Sequence, residues 1–472
     1  MRPTRVRSIP RLARSGSGDN RSGADQPRMK RRKGTSSVKS HNTKDSKSAA
    51  SDRRTPAYGI VSDDFTGGLL VASYFEEAGI VCPVYFDPLV AKKDRPSDGI
   101  VIIVTRSRLE PVPEARRQIV VALDALDAIG CESIGYKVCG TFDSTEQGNI
   151  GPAADLIAER YDQTPLFISG GFVEYGITVY NGHMFIRNDL ISESLKRLDP
   201  VTPMPDPNLV RFLSLQTRTP VGLIAHAELS KSNNAASDAV SRLVKAGYKH
   251  IMLDTTGEDD LRASIFLAKK AKAIVGSDSF IIYFGMDRAK ERRGDPSTPR
   301  HADGPAALFV GSVGPVAGEQ LAVFRQRYPV LDLNIAEDVS EEAIIERSLQ
   351  WALPKIGDAP FGVTTWMDDA GVRETQAKLG RLGAARKAER LLSGIAAGVH
   401  EMGVRRIMVG GGETSGAIGA ALNLSHVRSL PRGWIGGGVC IAEGPDPVSL
   451  FLKSGKLGTP DVFMRALEIM KP

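Results

Sequence analysis

The apolar residues of this chain fall into short runs that end in glycine or small polar residues, with stretches of helical spacing between them. The first run, Tyr58–Val61, leads straight into Ser62–Gly68, and a helical pattern follows from Leu69 to Ala78. Runs of about four to eight apolar residues suit buried strands, and strands that alternate with helices are typical of a mostly parallel sheet with helices on both faces. The pattern therefore predicts an α/β fold.

The same pattern predicts the remaining elements. Further strands are expected at Val81–Phe86, Ile100–Val104, Ser133–Val138, Leu166–Ser169, Val221–Ile224, Ile251–Asp254, Ile281–Phe284, Ala307–Val310, Ile407–Val409 and Val448–Leu452. Further helices are expected at Glu114–Ile129, Ala153–Tyr161, Glu341–Leu353 and Ala384–Met402, with a last helix after Thr459.

The chain is long enough for two domains. Its 472 residues exceed the size at which one hydrophobic core stops growing. Residues 287–306 are charged and rich in proline and glycine, as linkers are. We expect a first domain over residues 57–286, a linker over 287–306 and a second domain over 307–472, each domain with its own mostly parallel sheet flanked by helices.

The positive charge of the chain is concentrated at its start. The sequence has 61 lysines and arginines against 55 acidic residues, but residues 1–56 alone hold 16 basic and 4 acidic ones. This segment has almost no apolar residues and cannot offset its chain entropy by burial, so we expect a disordered basic tail. The basic cluster Lys30–Lys33 is compatible with a nucleic-acid arm. We favour a tail without a function of its own and expect no nucleic-acid partner.

Membrane and metal-binding classes are excluded by composition. No apolar run approaches 18 residues, so we expect no membrane partner. The four cysteines are scattered and form no C-x-x-C pair, which argues against a zinc site or a disulfide scaffold and suits a reducing compartment. We therefore expect a cytoplasmic protein.

A glycine loop between a strand and a helix is the strongest candidate for a ligand site. Ile407–Val409 is followed by Gly410–Gly412, and Thr414 or Ser415 is expected to cap the next helix. Glycines let an anion approach the backbone, and the free N–H groups of the first helical turn point at it. A turn that serves only close packing is the alternative, but Glu413 beside two hydroxyl residues favours a phosphate site.

Two adjacent carboxylates form a second candidate site. Asp63 and Asp64 follow the first strand, at the edge where open α/β sheets place their ligands. Such a pair can hold Mg²⁺ or accept a hydroxyl proton. The alternative is that one of them only caps the following helix.

Six motifs, in this order along the chain, resemble those of the four-carbon acid sugar kinase family. They are Asp63–Gly67, Lys137–Pro152, Tyr180–His183, Ser192–Ser194, Gly411–Gly416 and Leu452–Gly455, within a match that runs from about residue 58 to residue 468. The resemblance implies a first domain that binds a sugar acid and a second domain that binds ATP. Members of the family phosphorylate tetronic acids such as 3-oxo-tetronate, D-threonate or D-erythronate.

The resemblance also implies roles for individual residues. The ATP contacts carry over to Ser312, Gly411, Gly412, Glu413, Thr414 and Gly455. Motif position and chemistry place Arg106, Lys137, Asp143 and Asn149 on the substrate side, with Asp63 and Asp64 as catalytic residues. We expect ATP to act with Mg²⁺, whose ligands the sequence does not identify. The partners are then ATP and a small sugar acid, and a homo-oligomer is compatible with this assignment.

The chain departs from the family pattern on the sugar side. Leu69 and Leu70 stand where the family usually has a small hydroxyl residue and an aspartate, and Ile177 replaces an arginine that could pair with a carboxylate. These departures motivate an alternative function, a catalytically weakened paralogue that binds a metabolite or nucleotide as a sensor. The intact nucleotide motifs favour an ATP-dependent kinase.

Overall fold

A computed structural model describes residues 54–199, 201–294, 299–435, 438–455 and 458–471. The disordered basic tail expected over residues 1–56 lies outside the described residues, apart from its last three positions.

Strands and helices alternate through the described chain. The strands are β1 (Tyr58–Ser62), β2 (Pro83–Tyr85), β3 (Ile100–Val104), β4 (Ser133–Lys137), β5 (Leu166–Ser169), β6 (Ile177–Tyr180), β7 (His183–Ile186), β8 (Asp189–Leu190), β9 (Val221–Ile224), β10 (His250–Leu253), β11 (Ala273–Gly276), β12 (Ala306–Val310), β13 (Val330–Asp332), β14 (Phe361–Thr364), β15 (Arg406–Gly410), β16 (His426–Ser429), β17 (Val439–Ala442) and β18 (Val448–Lys453).

The helices are α1 (Phe65–Glu77), α2 (Pro88–Asp94), α3 (Val112–Ile129), α4 (Ile150–Arg160), α5 (Leu209–Ser214), α6 (His226–Leu229), α7 (Asn233–Lys245), α8 (Glu258–Leu267), α9 (Asp278–Arg288), α10 (Pro315–Arg325), α11 (Glu341–Ala352), α12 (Asp369–Leu379), α13 (Arg381–Glu401), α14 (Gly412–Ala421) and α15 (Val462–Ile469). Among these described helices, none is both long and apolar enough to cross a membrane.

The main sheet is continuous across the whole described chain. Its strand order is β13-β14-β12-β15-β18-β17-β16-β2-β3-β1-β4-β11-β5-β10-β9. Neighbouring strands from β2 to β9 run parallel, as do those from β13 to β18. Within this sheet, antiparallel pairings occur where the two parallel parts join: β18 with β17, β17 with β16, and β16 with β2. The α/β class with mostly parallel strands is confirmed, while the domain boundaries stay a prediction.

The hydrophobic core differs between the two faces of the sheet. One face carries a single cluster that includes Phe75 of α1, Phe280 of α9 and Ile395 of α13, so it runs across both parallel parts. The other face carries two clusters, one under α3 and α4 and one under α10 and α15. Helices α1 and α14 both contribute to the shared cluster, so the helices that follow the two candidate sites pack on the same face of the sheet.

One predicted strand is wrong. Ile281–Phe284 lies inside helix α9, and the strand of this region is β11, which the pattern missed. Phe280, Ile281, Ile282 and Phe284 are all buried, so the helix is apolar on most of its surface. A short apolar run of this kind cannot be assigned to strand or helix from periodicity alone.

The segment after β5 is more regular than the sequence suggested. It forms a small antiparallel sheet, β6-β7-β8, rather than an irregular stretch. His183 at the start of β7 contacts the Asn181 carbonyl and the Asn208 side chain, which is a structural role.

Candidate active site

Asp63 lies at the carboxyl end of β1 and is held by an arginine. Its backbone N–H donates to the Lys137 carbonyl at 3.0 Å. Its carboxylate accepts from Arg108 Nε at 2.9 Å and from Arg108 Nη2 at 2.8 Å, and the residue is 2% exposed. A bidentate pair of this geometry fixes both side chains.

Asp64 caps helix α1 and also faces the neighbouring cations. Its Oδ1 accepts from the Gly67 N–H at 3.2 Å and from Arg108 Nη2 at 2.7 Å, and its Oδ2 accepts from the Thr66 hydroxyl at 2.7 Å. Lys137 Nζ lies 4.0 Å from Oδ1. The capping role considered for this pair therefore belongs to Asp64, whose side chain keeps 16% of its surface exposed.

The protein shifts the pKa values of the two adjacent aspartates in opposite directions. Burial raises the pKa of Asp63 and outweighs the opposing charge of Arg108. Burial acts on Asp64 too, but Arg108 and Lys137 together with its hydrogen bonds lower the pKa of this carboxyl below its ordinary value. The surroundings of Asp64 therefore favour its ionised form, and Asp64 is the member of the pair with access to solvent.

Lys137 is buried between two carboxylates. Its Nζ lies 3.2 Å from Asp278 Oδ1, and the two side chains are 2% and 4% exposed. Burial alone would lower the pKa of Lys137, but Asp278 and Asp64 raise it. Gly67 lies directly against this ammonium group, where a Cβ would collide with Nζ.

The other residues expected on the substrate side have different surroundings. Asp143 pairs with Lys196 at 2.8 Å. Asn149 donates from Nδ2 to the carbonyls of Ser107 at 2.6 Å and Glu110 at 2.8 Å, so it braces the loop that carries Arg108. Its Oδ1 is buried without a hydrogen-bond partner among the described residues.

Arg106 is a solvent-accessible cation in the loop that follows β3, at the carboxyl edge of the sheet. Half of its side-chain surface is exposed, and Nη2 lies 3.0 Å from Glu389 Oε2 on helix α13. It therefore joins the carboxyl edge near β3 to the second half of the chain.

The glycine loop has the geometry of an anion site. Gly411 has φ +137 and precedes α14, which begins at Gly412 without a side-chain cap among the described residues. The expectation that Thr414 or Ser415 caps this helix is wrong, because both lie inside its first turn; the Ser415 hydroxyl instead donates back to the Gly411 carbonyl at 2.7 Å. The N–H groups of that turn are therefore left for a ligand.

The remaining nucleotide residues converge on this loop. The Gly411 N–H donates to the Lys453 carbonyl at 2.9 Å, and the Ser312 N–H donates to the Gly410 carbonyl at 3.3 Å. A Cβ on Gly455 would collide with the Ser312 side chain, so glycine is required for these two segments to touch. Three separate strand ends, those of β12, β15 and β18, thus meet at one point.

The two candidate sites face each other. A Cβ on Gly412 would lie 3.7 Å from the Thr66 hydroxyl of helix α1. Glu413 is exposed, yet desolvation by the surrounding protein raises its pKa, with Arg108 opposing and Asp64 reinforcing the shift. Glu413 is thus exposed and still interacts electrostatically with residues of the other candidate site. This position is expected for a residue in the wall of an open cleft.

Lys453 adds a buried cation beside the glycine loop. Its Nζ donates to Gln320 Oε1 at 2.9 Å, and within the described residues no charged neighbour offsets the burial of this ammonium group. The residue is 7% exposed, and burial lowers its pKa to about 8.

We expect the charge on Lys453 to destabilise the free protein below pH 8. A lysine whose pKa is lower in the folded than in the unfolded state binds fewer protons when folded, so stability rises with pH between about 8 and the unfolded value of about 10.4. The free energy of unfolding of Lys453→Met should exceed that of the wild type at pH 7.5. This difference should shrink by about 1–2 kcal/mol at pH 9.5. A constant difference across this range in denaturant titrations would show that Lys453 is not titrating there.

Three residues of the site were not identified from the sequence. Arg106 is identified from the sequence but Arg108 is not, because nothing in the local pattern separates two arginines of the same loop; the turn at residues 107–109 directs only Arg108 towards the aspartates. Asp278 is the second residue after β11, a position that the misassigned strand concealed. Lys196 gave no signal, because its pairing with Asp143 joins distant segments.

No metal site is formed by protein groups alone in the described part of the chain. No cluster of three or more histidine, cysteine, aspartate or glutamate side chains is placed to hold an ion. Mg²⁺ commonly binds through one or two carboxylates and the substrate phosphates. The expected Mg²⁺ therefore stays a prediction.

Comparisons with known proteins cover nearly all of the described chain. Residues 58–283 match a family model described as a sugar-binding N-terminal domain, and residues 307–463 match one described as a nucleotide-binding C-terminal domain. The solved structure of a putative tRNA synthase from Salmonella typhimurium LT2 is similar with a TM-score of 0.72 and 31% identity, covering 88% of this chain and 99% of that one. Haemophilus influenzae protein HI1011 gives a TM-score of 0.65 and 25% identity, covering 88% and 100%.

Curated relatives of this chain carry a functional name, and two of them serve as examples. The chain is 31% identical over 419 residues to the 3-oxo-tetronate kinase of Salmonella typhimurium. The aligned region covers 86% of this chain and 98% of the relative. It is 32% identical over 422 residues to the 3-oxo-tetronate kinase of Methylobacterium radiotolerans, and the aligned region covers 88% of this chain and 99% of that relative. Identity at this level over almost the full length of the relatives shows that the chain belongs to the four-carbon acid sugar kinase family.

Proposed function

We propose that this protein is an ATP-dependent kinase that phosphorylates a hydroxyl of a four-carbon sugar acid. The observation that carries the proposal is the approach of helix α1, capped by Asp64, to the glycine loop at Gly412. Phosphoryl transfer requires the acceptor hydroxyl in line with the terminal phosphate, so a hydroxyl-orienting carboxylate must face a phosphate site.

The glycine loop supplies the phosphate site. The uncapped N–H groups of Gly412, Glu413 and Thr414 and the positive end of the α14 dipole suit the phosphates of ATP. Ser312 and Gly455 border the same space from neighbouring strand ends. These residues fit ATP, and Mg²⁺ would neutralise charge between the phosphates when it is bound.

Asp64 orients the acceptor hydroxyl. Its lowered pKa keeps it ionised, so it can accept a hydrogen bond from the attacking hydroxyl, fix its direction and take up its proton as the phosphoryl group is transferred. Asp63 acts as a positioning residue, because its bidentate pair holds Arg108 against Asp64.

Arg106 is the better partner for the carboxylate of the acid. Lys137, the other cation considered, is buried and already paired with Asp278. Arg106 is half exposed, and its ion pair with Glu389 is of the surface kind, which contributes only about 0–1 kcal/mol. A substrate carboxylate can therefore replace Glu389. Asp143 and Asn149 shape the site by fixing Lys196 and the Arg108 loop.

The curated relatives, both named as kinases, support this function and give no support to the sensor alternative. The test is incubation of the purified protein with Mg-ATP and each of 3-oxo-tetronate, D-threonate and D-erythronate. We expect at least one acid to stimulate ADP release. If none of the three acids stimulates ADP release, the proposal is overturned. The cytoplasmic location and the homo-oligomer stay predictions.

A further inference from the structure

Asp278 supplies the negative charge that lies closest to Lys137. Its carboxylate lies 3.2 Å from Lys137 Nζ, at the start of helix α9, where a lysine and a helix dipole both favour negative charge. Both side chains are almost completely buried. Breaking a buried pair leaves an uncompensated charge, so a substrate cannot easily displace Asp278.

The surroundings of this pair are apolar. A Cβ on Gly140 would lie 3.2 Å from Asp278 Oδ2, 3.3 Å from Phe172 Cβ and 3.6 Å from Ile177 Cδ1, so these three groups share one small region. The ring of Phe172 packs 4.5 Å from that of Tyr175. Ile177 stands where the family usually has an arginine, so the chain offers an aliphatic group at the point where a second cation is expected.

The buried cations near Asp64 are thus all matched by carboxylates. Arg108 pairs with Asp63 and Asp64, and Lys137 pairs with Asp278 and approaches Asp64. An additional anion in this part of the site would meet negative charge and apolar side chains. Arg106, at the exposed edge, is left to receive a single carboxylate.

We propose that Asp278 is a specificity-determining residue that restricts the acceptor to monocarboxylic hydroxy acids. Asp278 fills the anion position beside Lys137, and Phe172 and Ile177 lie next to it. The end of the acceptor remote from its carboxylate must therefore carry a neutral group, either a hydroxyl or an apolar carbon. Acids with a second carboxylate or a phosphate at that end are rejected. The inference rests on the proposed function and assigns the substrate class of the same site.

The test compares two acids of the same carbon skeleton by calorimetry. D-threonate carries one carboxylate and a terminal hydroxyl, and the tartrate of matching configuration carries carboxylates at both ends. We expect the wild type to bind tartrate at least about tenfold more weakly than threonate, because like charges repel strongly in a buried site. In Asp278→Asn, which removes the carboxylate nearest to Lys137, tartrate affinity should rise by at least about tenfold. Asp278→Ser should behave in the same way, and it provides the measurement if Asp278→Asn does not fold.

Glu174→Gln is the matched control. Glu174 lies in the same region and accepts from the Tyr74 hydroxyl at 2.5 Å, but it does not contact Lys137. This variant removes one carboxylate and should leave tartrate affinity unchanged. An equal gain in the control, or unchanged tartrate affinity in folded Asp278 variants, would overturn the inference. Threonate turnover in the wild type separates the two claims: turnover without the tartrate effect overturns only the specificity, whereas no turnover with any acid overturns the proposed function.

Discussion

The variant Asp64→Asn is expected to lower turnover by about 10²- to 10⁴-fold, the usual range for a group that assists proton transfer. Asparagine keeps the size of the side chain and caps a helix about as well as aspartate, so α1 should stay intact. ATP binding should change little, because the phosphate site is formed by the glycine loop. The measurements are steady-state turnover, ATP affinity and melting temperature. If Asp64→Asn keeps full turnover, Asp64 only caps α1.

Asp63→Asn is the matched comparison. Asp63 is buried in a bidentate pair with Arg108, and removal of one partner of a buried pair destabilises a protein by about 3–5 kcal/mol. We expect this variant to lose stability more than Asp64→Asn does, with an indirect loss of turnover. The reverse ranking, with stability lost at Asp64 and turnover lost at Asp63, would exchange the roles of the two residues.

Gly412→Val is expected to weaken ATP binding by about 10- to 10,000-fold. Hydrogen bonds to charged groups contribute about 1.5–3 kcal/mol each, and a branched side chain at the first residue of α14 would prevent one or two of them. The fold should survive, since the first atom of the new side chain meets only the Thr66 hydroxyl, at 3.7 Å. Calorimetry with a non-hydrolysable ATP analogue measures the effect.

Gly416→Val controls for the change in helix propensity. It lies one turn further along α14, and a Cβ there meets no atom within 4 Å. Its ATP affinity should equal that of the wild type. Equal losses in the two glycine variants would mean that the helix, rather than the phosphate space, is affected.

The positions of the site residues could be predicted from the sequence where strand ends carry a local signal. Asp63 and Asp64 follow an apolar run directly, and Gly410–Gly412 interrupt another, so the edge of the sheet at which they lie follows from parallel topology. The α/β class rests on the same runs. The six motifs added the family, which the comparisons confirm.

The pairings within the site could not be predicted, because they join residues far apart in sequence. Arg108 approaches Asp63 across the pairing of β1 with β3, and Lys137 meets Asp278 across the pairing of β4 with β11. A strand at Ile281–Phe284, as the apolar run predicts, leaves no place for β11 or for Asp278 at the start of α9, so it does not lead to the second contact. The continuous sheet depends on the pairing of β2 with β16, two short strands whose sequences do not identify their partner.

The most direct test of the account is ³¹P nuclear magnetic resonance of the purified protein incubated with Mg-ATP and the four-carbon acid that stimulates ADP release most. Transfer from the glycine loop to a hydroxyl oriented by Asp64 predicts a new phosphomonoester resonance that grows in step with ADP, and its near absence in Asp64→Asn. A spectrum in which ADP is accompanied by inorganic phosphate alone would contradict phosphoryl transfer to the acid.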